Sequence, residues 1–337
     1  MTRSWLAAII GISGLVLDPA EAALLQERVP LGVILFRRNI ASPGQLAGLV
    51  ASLRERLPEE SLLLVDQEGG RVARLRPPHW HEHPTAAAIG RLHDRDPDAG
   101  LRVAWLTGAL IGTDCEGAGF DIACAPVLDR SVPGAHDVIG DRAFDADTSV
   151  IVKLAGAVAD GLLAAGVQPV GKHAPGHGRA GLDSHLALPE LPAIDEADLV
   201  PFAALSWLPW MMTAHIRYRE ADPQHPATLS RIILRDVVRG RLGFDNLLIS
   251  DDLAMQALSG SAGSRASLAL LAGCDVALHC SGRIEESRDV LDCVPLLDAA
   301  ALVRLERARA LVRSRRLPLD PSSLAAERDS LLHRVAS

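Results

Sequence analysis

The sequence predicts a (β/α)8 barrel: one domain over residues 1–337, with helices added at its C-terminal end. Three observations carry this. Eight short apolar runs recur along the chain. Longer stretches of helical character separate them, and strands that alternate with helical crossovers pair in parallel. Polar residues sit just past the end of four runs: Asp66, Lys172 with His173, His215, and Asp251. In a barrel those C-terminal strand ends converge on the face that carries the active site. A doubly wound open sheet is the alternative, and the count of eight favours the barrel, whose usual size is about 250 residues.

The first run, Ala7–Ser13, lies in an apolar stretch behind Arg3 that imitates a signal peptide. No small-x-small cleavage site follows, because Leu17-Asp18-Pro19 intervenes, and Gly11 and Gly14 interrupt the stretch. It reads as a core strand. The next runs are Gly32–Phe36, Leu62–Val65, Phe120–Ala125, Gln168–Gly171, Trp210–Thr213, Leu247–Ser250 and Asp275–His279. Helices are expected at Pro19–Arg28, Pro43–Leu57, Ala99–Gly117, Thr148–Ala165, Asp195–Leu205, Leu229–Gly240 and Ser264–Leu271. Three more are expected near 284–291, 297–315 and 321–334. No run approaches the ~20 apolar residues of a membrane span.

Composition narrows the function classes. A net charge of −8 and an aromatic content of 3% argue against nucleic acid and against an anionic membrane surface. The five cysteines are odd in number and form no Cys-x-x-Cys pair. Buried free thiols in a reducing, cytoplasmic compartment are expected, with no disulfide framework and no zinc ribbon.

The strongest local signal is residues 169–185, Pro-Val-Gly-Lys-His-Ala-Pro-Gly-His-Gly-Arg-Ala-Gly-Leu-Asp-Ser-His. A solvated loop explains the glycines but not Lys172 and His173 at a strand tip, nor Asp183-Ser184-His185. Residues i and i+2 of an extended segment face the same way, so Asp183 is placed to accept a hydrogen bond from His185. A neighbouring carboxylate orients an imidazole and raises its pKa, which suits acid and base work near neutral pH. The glycines would also let such a loop swing as a lid. In Ile249-Ser250-Asp251-Asp252-Leu253, one aspartate can cap a helix. The functional reading has Asp251 pointing into the barrel mouth as a nucleophile and Asp252 pointing away as a support. Asp66-Gln67-Glu68-Gly69-Gly70-Arg71, with Arg74 beyond it, suits polyhydroxyl recognition, since carboxylates accept hydrogen bonds from sugar hydroxyls. Asp141-Arg142 by itself says little, since an Asp-Arg step is often a surface ion pair. His79-Trp80-His81-Glu82-His83 matches a His-x-x-Glu-His zinc pattern, but Pro77, Pro78 and Pro84 deny it the helix that pattern needs. No metal or other cofactor is expected.

Taken together, these motifs resemble glycoside hydrolase family three, and within it the single-domain bacterial β-N-acetylglucosaminidases of peptidoglycan recycling. The family signature looks like Lys-His-Phe-Pro-Gly-His-Gly, then Asp-Ser-His, then Ser-Asp-Asp-Leu-x-Met. This chain has Lys172 to Gly178, Asp183-Ser184-His185 and Ser250 to Met255. Asp66 to Arg74, Ala125 to Asp129, Val138 to Phe144 and Ala272 to Asp275 are also family-like. The resemblance implies a (β/α)8 barrel with Asp251 as nucleophile and His185 as general acid/base paired with Asp183. It implies Asp66, Arg74, Arg142, Lys172 and His173 as ligands of the N-acetylglucosamine. It further implies a small carbohydrate substrate, N-acetylglucosamine linked to 1,6-anhydro-N-acetylmuramic acid, and a monomer. Ala174 departs from the family, which usually has Phe there, and Phe202–Pro209 is slightly shortened.

The implied reaction is retaining. Asp251 attacks the anomeric carbon while His185 protonates the leaving oxygen, and water releases the sugar from the aspartyl ester. Retaining enzymes usually place two carboxyls about 5–5.5 Å apart. A histidine in place of the acid is neutral after giving up its proton, so an incoming phosphate is not repelled. A phosphorylase is therefore the alternative within the enzyme class, and attack by the substrate's own acetamide the alternative mechanism. A non-catalytic sugar-binding barrel is the alternative outside it, but such a protein has no need of Asp251 together with the Asp183–His185 pair.

Overall fold

A computed structural model describes residues 5–184 and 187–336. Its first strand, β1 (Leu6–Gly11), runs into α1 (Pro19–Glu27) through a helix start built from the residues that interrupt the apolar stretch. The Asp18 carboxylate accepts from the Ala20 N–H, and Glu21 reaches back to the Asp18 N–H. Pro19 sits in the first turn, where its missing N–H costs nothing.

The alternation continues through β2 (Pro30–Leu35), α2 (Pro43–Arg56), β3 (Leu62–Val65), α3 (Ala86–Arg95), α4 (Pro97–Gly117), β4 (Ile122–Ala123), α5 (Thr148–Ala164) and β5 (Gln168–Ala174). Then come β6 (Glu190–Leu191), α6 (Glu196–Ala204), β7 (Trp210–Thr213) and β8 (Arg217–Tyr218). A π-helical segment (Ile233–Arg241) precedes β9 (Leu247–Ile249), α7 (Ala262–Ala272), β10 (Ala277–His279), α8 (Ile284–Cys293), α9 (Ala299–Arg315) and α10 (Pro321–Ala336).

Eight strands form one parallel sheet in the order β10-β1-β2-β3-β4-β5-β7-β9, while β6 and β8 pair separately. The two ends of the large sheet meet at a parallel bridge between Ile249 and Val276, with Asp275 N–H donating to the Leu248 carbonyl at 2.7 Å. The sheet is thus nearly closed as a barrel, as the strand count predicts. Among the described residues no helix is long and apolar enough to cross a membrane.

Side chains alternate along each strand. Ala8 and Ile10 face the helices, while Ala7 and Ile9 face the interior with Leu31, Leu64, Ile122 and Trp210. Ala301, Leu305 and Ala308 of α9 join that interior cluster with Trp5. Near them, Leu297 N–H donates to the Trp5 carbonyl at 2.7 Å, and Ala7 N–H donates to Pro295. These contacts close the N-terminal end of the barrel and leave the C-terminal end as its mouth.

Three expectations need correction. The helix α3 was hidden by the flanking prolines; Thr85 starts it by accepting from the Ala88 N–H. β4 is only two residues long, because the Asp121 side chain takes the Leu63 N–H and Ala125 N–H turns back to Ala123. Four cysteines are buried, but Cys293 is exposed on α8. Ala174 lies fully buried in β5, inside the main core.

Candidate active site

The turn after β3 is folded around Gln67, which is fully buried. Its Oε1 accepts from the Arg74 and Leu75 N–H groups at 2.6 and 3.1 Å, and its Nε2 donates to the Leu75 carbonyl at 2.9 Å. Gly69 and Gly70 take positive φ (104° and 51°), which the tight return requires. The result presents Asp66, Glu68 and Arg74 on one wall.

At the end of β5, Lys172 and His173 both line the same cavity. Consecutive strand residues ordinarily face opposite sides. Here the β5–β7 register shifts between Lys172 and Ala174, the kind of irregularity that re-aims a side chain.

Lys172 Nζ stands 2.8 Å from Asp66 Oδ1 and 2.6 Å from Glu68 Oε1. Arg74 donates to Asp66 Oδ2 at 2.7 Å. Arg142, from the turn Gly140–Arg142, grips Glu68 with two hydrogen bonds of 2.8 Å. Burial pushes both carboxyls upward. The Lys172 and Arg74 charges outweigh it at Asp66, and those of Arg142 and Lys172 outweigh it at Glu68, so both stay below their ordinary values. Burial in turn disfavours the Lys172 ammonium, but Asp66 and Glu68 hold its pKa above the usual one. Asp66, Glu68 and Lys172 are therefore ionised at neutral pH, and against burial Glu68 with Asp66 likewise holds the Arg142 guanidinium charged. The Arg142 side chain is 12% exposed, unlike the surface ion pair that an Asp-Arg step often makes.

A second network lies beside the first. Asp129, past the end of β4, accepts from the Nδ1 of His173 at 2.7 Å and from its backbone N–H at 3.3 Å. It also accepts from the His177 N–H at 2.6 Å. Burial raises the Asp129 pKa, and His173 more than offsets it. His177 Nε2 lies 3.0 Å from Ser184 Oγ. Burial, with His173 adding to it, pushes His177 down to about 4, so its imidazole is neutral.

Opposite, at the end of β9, Asp251 lines the cavity. Its N–H donates to Thr213 Oγ1 at 3.3 Å, and its Oδ1 accepts from the Asp252 N–H at 2.8 Å. Asp252 also borders the cavity instead of pointing fully away. Its Oδ1 accepts from the Ala254 and Cys280 N–H groups at 2.8 and 2.9 Å, which ties β9 to the end of β10. His215 is buried beneath, with Nε2 2.9 Å from the Asp252 carbonyl oxygen and Nδ1 2.8 Å from Thr228 Oγ1.

The cavity measures about 770 Å³ including its mouth. Ile34, Cys124, Met212, Leu278 and Cys280 form its apolar floor, and burial pushes the Cys124 thiol up to about 12. Asp66, Arg74, Arg142, Lys172, His173 and Asp251 are thus brought together. Asp183 is half-buried beside the lining, and its carbonyl accepts from the Ala187 N–H at 3.1 Å. His185 lies outside the described residues. Asp129, His177 and Ser184 belong to the site although sequence reasoning gave none of them a role there, and Glu68, read only with its turn as a sugar-binding carboxylate, is instead bonded to Lys172 and Arg142. Glu68 and Asp129 carried a signal, each lying a few residues past a strand end. His81 and His83 both bond the Asp114 carboxylate, at 2.8 and 3.2 Å. Among the described residues no group of three or more His, Cys, Asp or Glu is arranged to hold a metal ion.

Comparison with known proteins follows the same lines. The family model described as Glycosyl hydrolase family 3 N terminal domain matches residues 13–311. A Beta-hexosaminidase of Bordetella parapertussis is 38% identical over 312 residues, 90% of this chain and 87% of that protein. A Beta-hexosaminidase of Pseudomonas aeruginosa is 40% identical over 308 residues, 89% of this chain and 90% of that one. Among solved structures, NagZ from Neisseria gonorrhoeae in complex with N-trifluoroacetyl-D-glucosamine is 31% identical, with 98% of each chain covered and a TM-score of 0.86.

Proposed function

The chain belongs to glycosyl hydrolase family 3, and from that premise we propose that it is a retaining β-N-acetylglucosaminidase with Asp251 as its nucleophile. The observation that carries this reading is the cavity that Asp251 shares with Asp66, Arg74, Lys172 and Arg142, the last two held together by Glu68. A rigid set of ionised donors and acceptors suits the hydroxyls of one sugar ring, with its anomeric carbon toward Asp251. Asp66, Arg74, Arg142, Lys172 and His173 hold the sugar in this reading, and Glu68 and Asp129 hold those holders.

The Asp251 carboxylate attacks the anomeric carbon, and the bond to the leaving oxygen breaks as His185 gives that oxygen its proton. Asp183 orients His185. The neutral imidazole then takes a proton from water, which attacks the glycosyl ester, frees Asp251 and restores His185. Two inversions give net retention. Neutral His177 and the thiol Cys124 add no competing charge to the cavity.

The substrate class we assign is a terminal β-N-acetylglucosamine on peptidoglycan fragments such as GlcNAc-1,6-anhydro-MurNAc. The hexosaminidase relatives and the glucosamine derivative bound to the gonococcal protein support the sugar. The motif resemblance supports the aglycone. We further propose one catalytic domain acting as a cytoplasmic monomer.

The test is hydrolysis of a chromogenic β-N-acetylglucosaminide by wild type and Asp251→Asn. A loss on the order of 10³-fold or more is expected for a missing nucleophile. A 5-fluoro or 2-deoxy-2-fluoro sugar should leave one glycosyl adduct on Asp251 by intact and peptide mass. Full activity of the variant, or inactivation without an adduct, would sink the assignment. Equal rates with and without phosphate are expected; dependence on phosphate would reassign the acceptor.

A further inference from the structure

Beyond the roles above, one buried side-chain contact joins the acid/base segment to the wall of the sugar site. His177 is 3% exposed and Ser184 2% exposed, and they meet at 3.0 Å. The His177 end is fixed. Its N–H is held by Asp129, and its ring stands edge-on to His173 with centroids 5.7 Å apart. Gly176 on one side accepts from the Tyr218 hydroxyl, and a Cβ on Gly178 would overlap the Arg130 carbonyl oxygen. The chain between is loosely placed: Gly181 has open space around its Cβ position, and Leu182 is 51% exposed. Ser184 then turns inward, flanked by Asp183 and His185. A histidine kept only for packing has no need of a hydroxyl seven residues on. A buried hydroxyl without a partner is costly.

We propose that His177 is a positioning residue: through Ser184 it anchors the segment whose sequence carries Asp183 and His185, and through Asp129 it ties that anchor to His173. This rests on the reading of His185 as the acid. It makes a claim that a merely structural role does not. Proton donation matters most when the leaving group is a poor one. A general acid contributes about 10²–10⁴-fold, and a misplacement of roughly 1 Å costs about 10²-fold. Loss of the latch should therefore slow poor leaving groups selectively.

The experiment compares kcat/KM for phenyl and 2,4-dinitrophenyl N-acetyl-β-glucosaminides. This ratio reports only steps through the first bond cleavage. Ser184→Ala should lower the phenyl value by roughly 10- to 100-fold. It should leave the dinitrophenyl value within about threefold, since that leaving group needs little help from an acid. His177→Ala should do the same, His177→Gln should recover part of the loss, and the double Ala variant should be no worse than either single one. Equal slowing of both substrates, no slowing of either, or additive losses would overturn the proposal. Ser184→Ala removes one oxygen, so the test does not depend on His177→Ala folding. His185→Ala separates the two readings. If it shows no leaving-group dependence, the acid assignment falls; if it does and Ser184→Ala does not, only the latch falls.

Discussion

Replacing Glu68 by Gln removes one negative charge from behind the Lys172 and Arg142 side chains of the cavity and nearly preserves the shape of the side chain. Glu68 bonds Arg142 twice at 2.8 Å and stands 2.6 Å from Lys172, with its side chain 7% exposed. At an effective dielectric of about 20, two unit charges with centres about 4 Å apart attract by about 4 kcal/mol. Against this stand several kcal/mol of carboxylate desolvation and the repulsion from Asp66. Removing one partner of a buried pair costs about 3–5 kcal/mol. Gln keeps one acceptor, so the lower end, about 3 kcal/mol, is expected. With about 2.1 cal/mol/K of unfolding entropy per residue, that is a fall in Tm of about 4 °C for a chain of this length. The sign of the pH dependence follows from the depressed pKa. The folded carboxyl titrates below its ordinary 4.5, so its contribution is complete above 4.5 and is lost as pH falls through the folded value. The gap between wild type and Glu68→Gln should be constant from pH 8 to about 5 and close progressively below the ordinary Glu pKa. Urea unfolding followed by tryptophan fluorescence at pH 7, 5, 4 and 3.5 measures it. A gap under about 1 kcal/mol at pH 7 would match a surface pair and refute the reasoning. So would a gap that does not narrow at pH 3.5.

Two further expectations follow from the same geometry. Lys172→Met should raise KM more than it lowers kcat, as expected when binding is lost equally in ground and transition states. Because Lys172 is the leading charge that holds Asp66 low, the acid limb of the kcat/KM profile should move to higher pH; an unmoved limb would contradict the pairing. Gly178→Ala must displace the Arg130 carbonyl, so a loss of about 1–3 kcal/mol is expected by thermal unfolding. An unchanged Tm would show that the loop adjusts freely.

Much of the barrel was legible because its signals are local. Apolar runs bounded by Gly, Pro and charged residues marked eight strands, and all eight are present. The boundaries that moved did so through distant partners: β4 is cut short where Asp121 bonds Leu63, a residue 58 positions away. Asp251 and Lys172 were legible as site residues from their phase alone, one step past an apolar run, although β5 itself extends through Lys172 to Ala174. Glu68 received no role distinct from that of Asp66, because the two share one turn and nothing local separates a sugar ligand from the carboxylate that holds Lys172 and Arg142.

The sequence by itself determined which residue types stand at the barrel mouth, because the period of two in a strand and the parallel crossovers direct strand tips to one face. It did not determine how they pair. Arg142 meets Glu68 across 74 residues, and Lys172 meets Asp66 across 106. Those partnerships exist only once closure brings the ends of separate strands within hydrogen-bond reach and burial removes the water that would otherwise screen them. The same closure placed Arg142 in the cavity wall while Asp141 stays on the surface with Arg71, and turned His177 from a loop residue into the buried partner of Ser184.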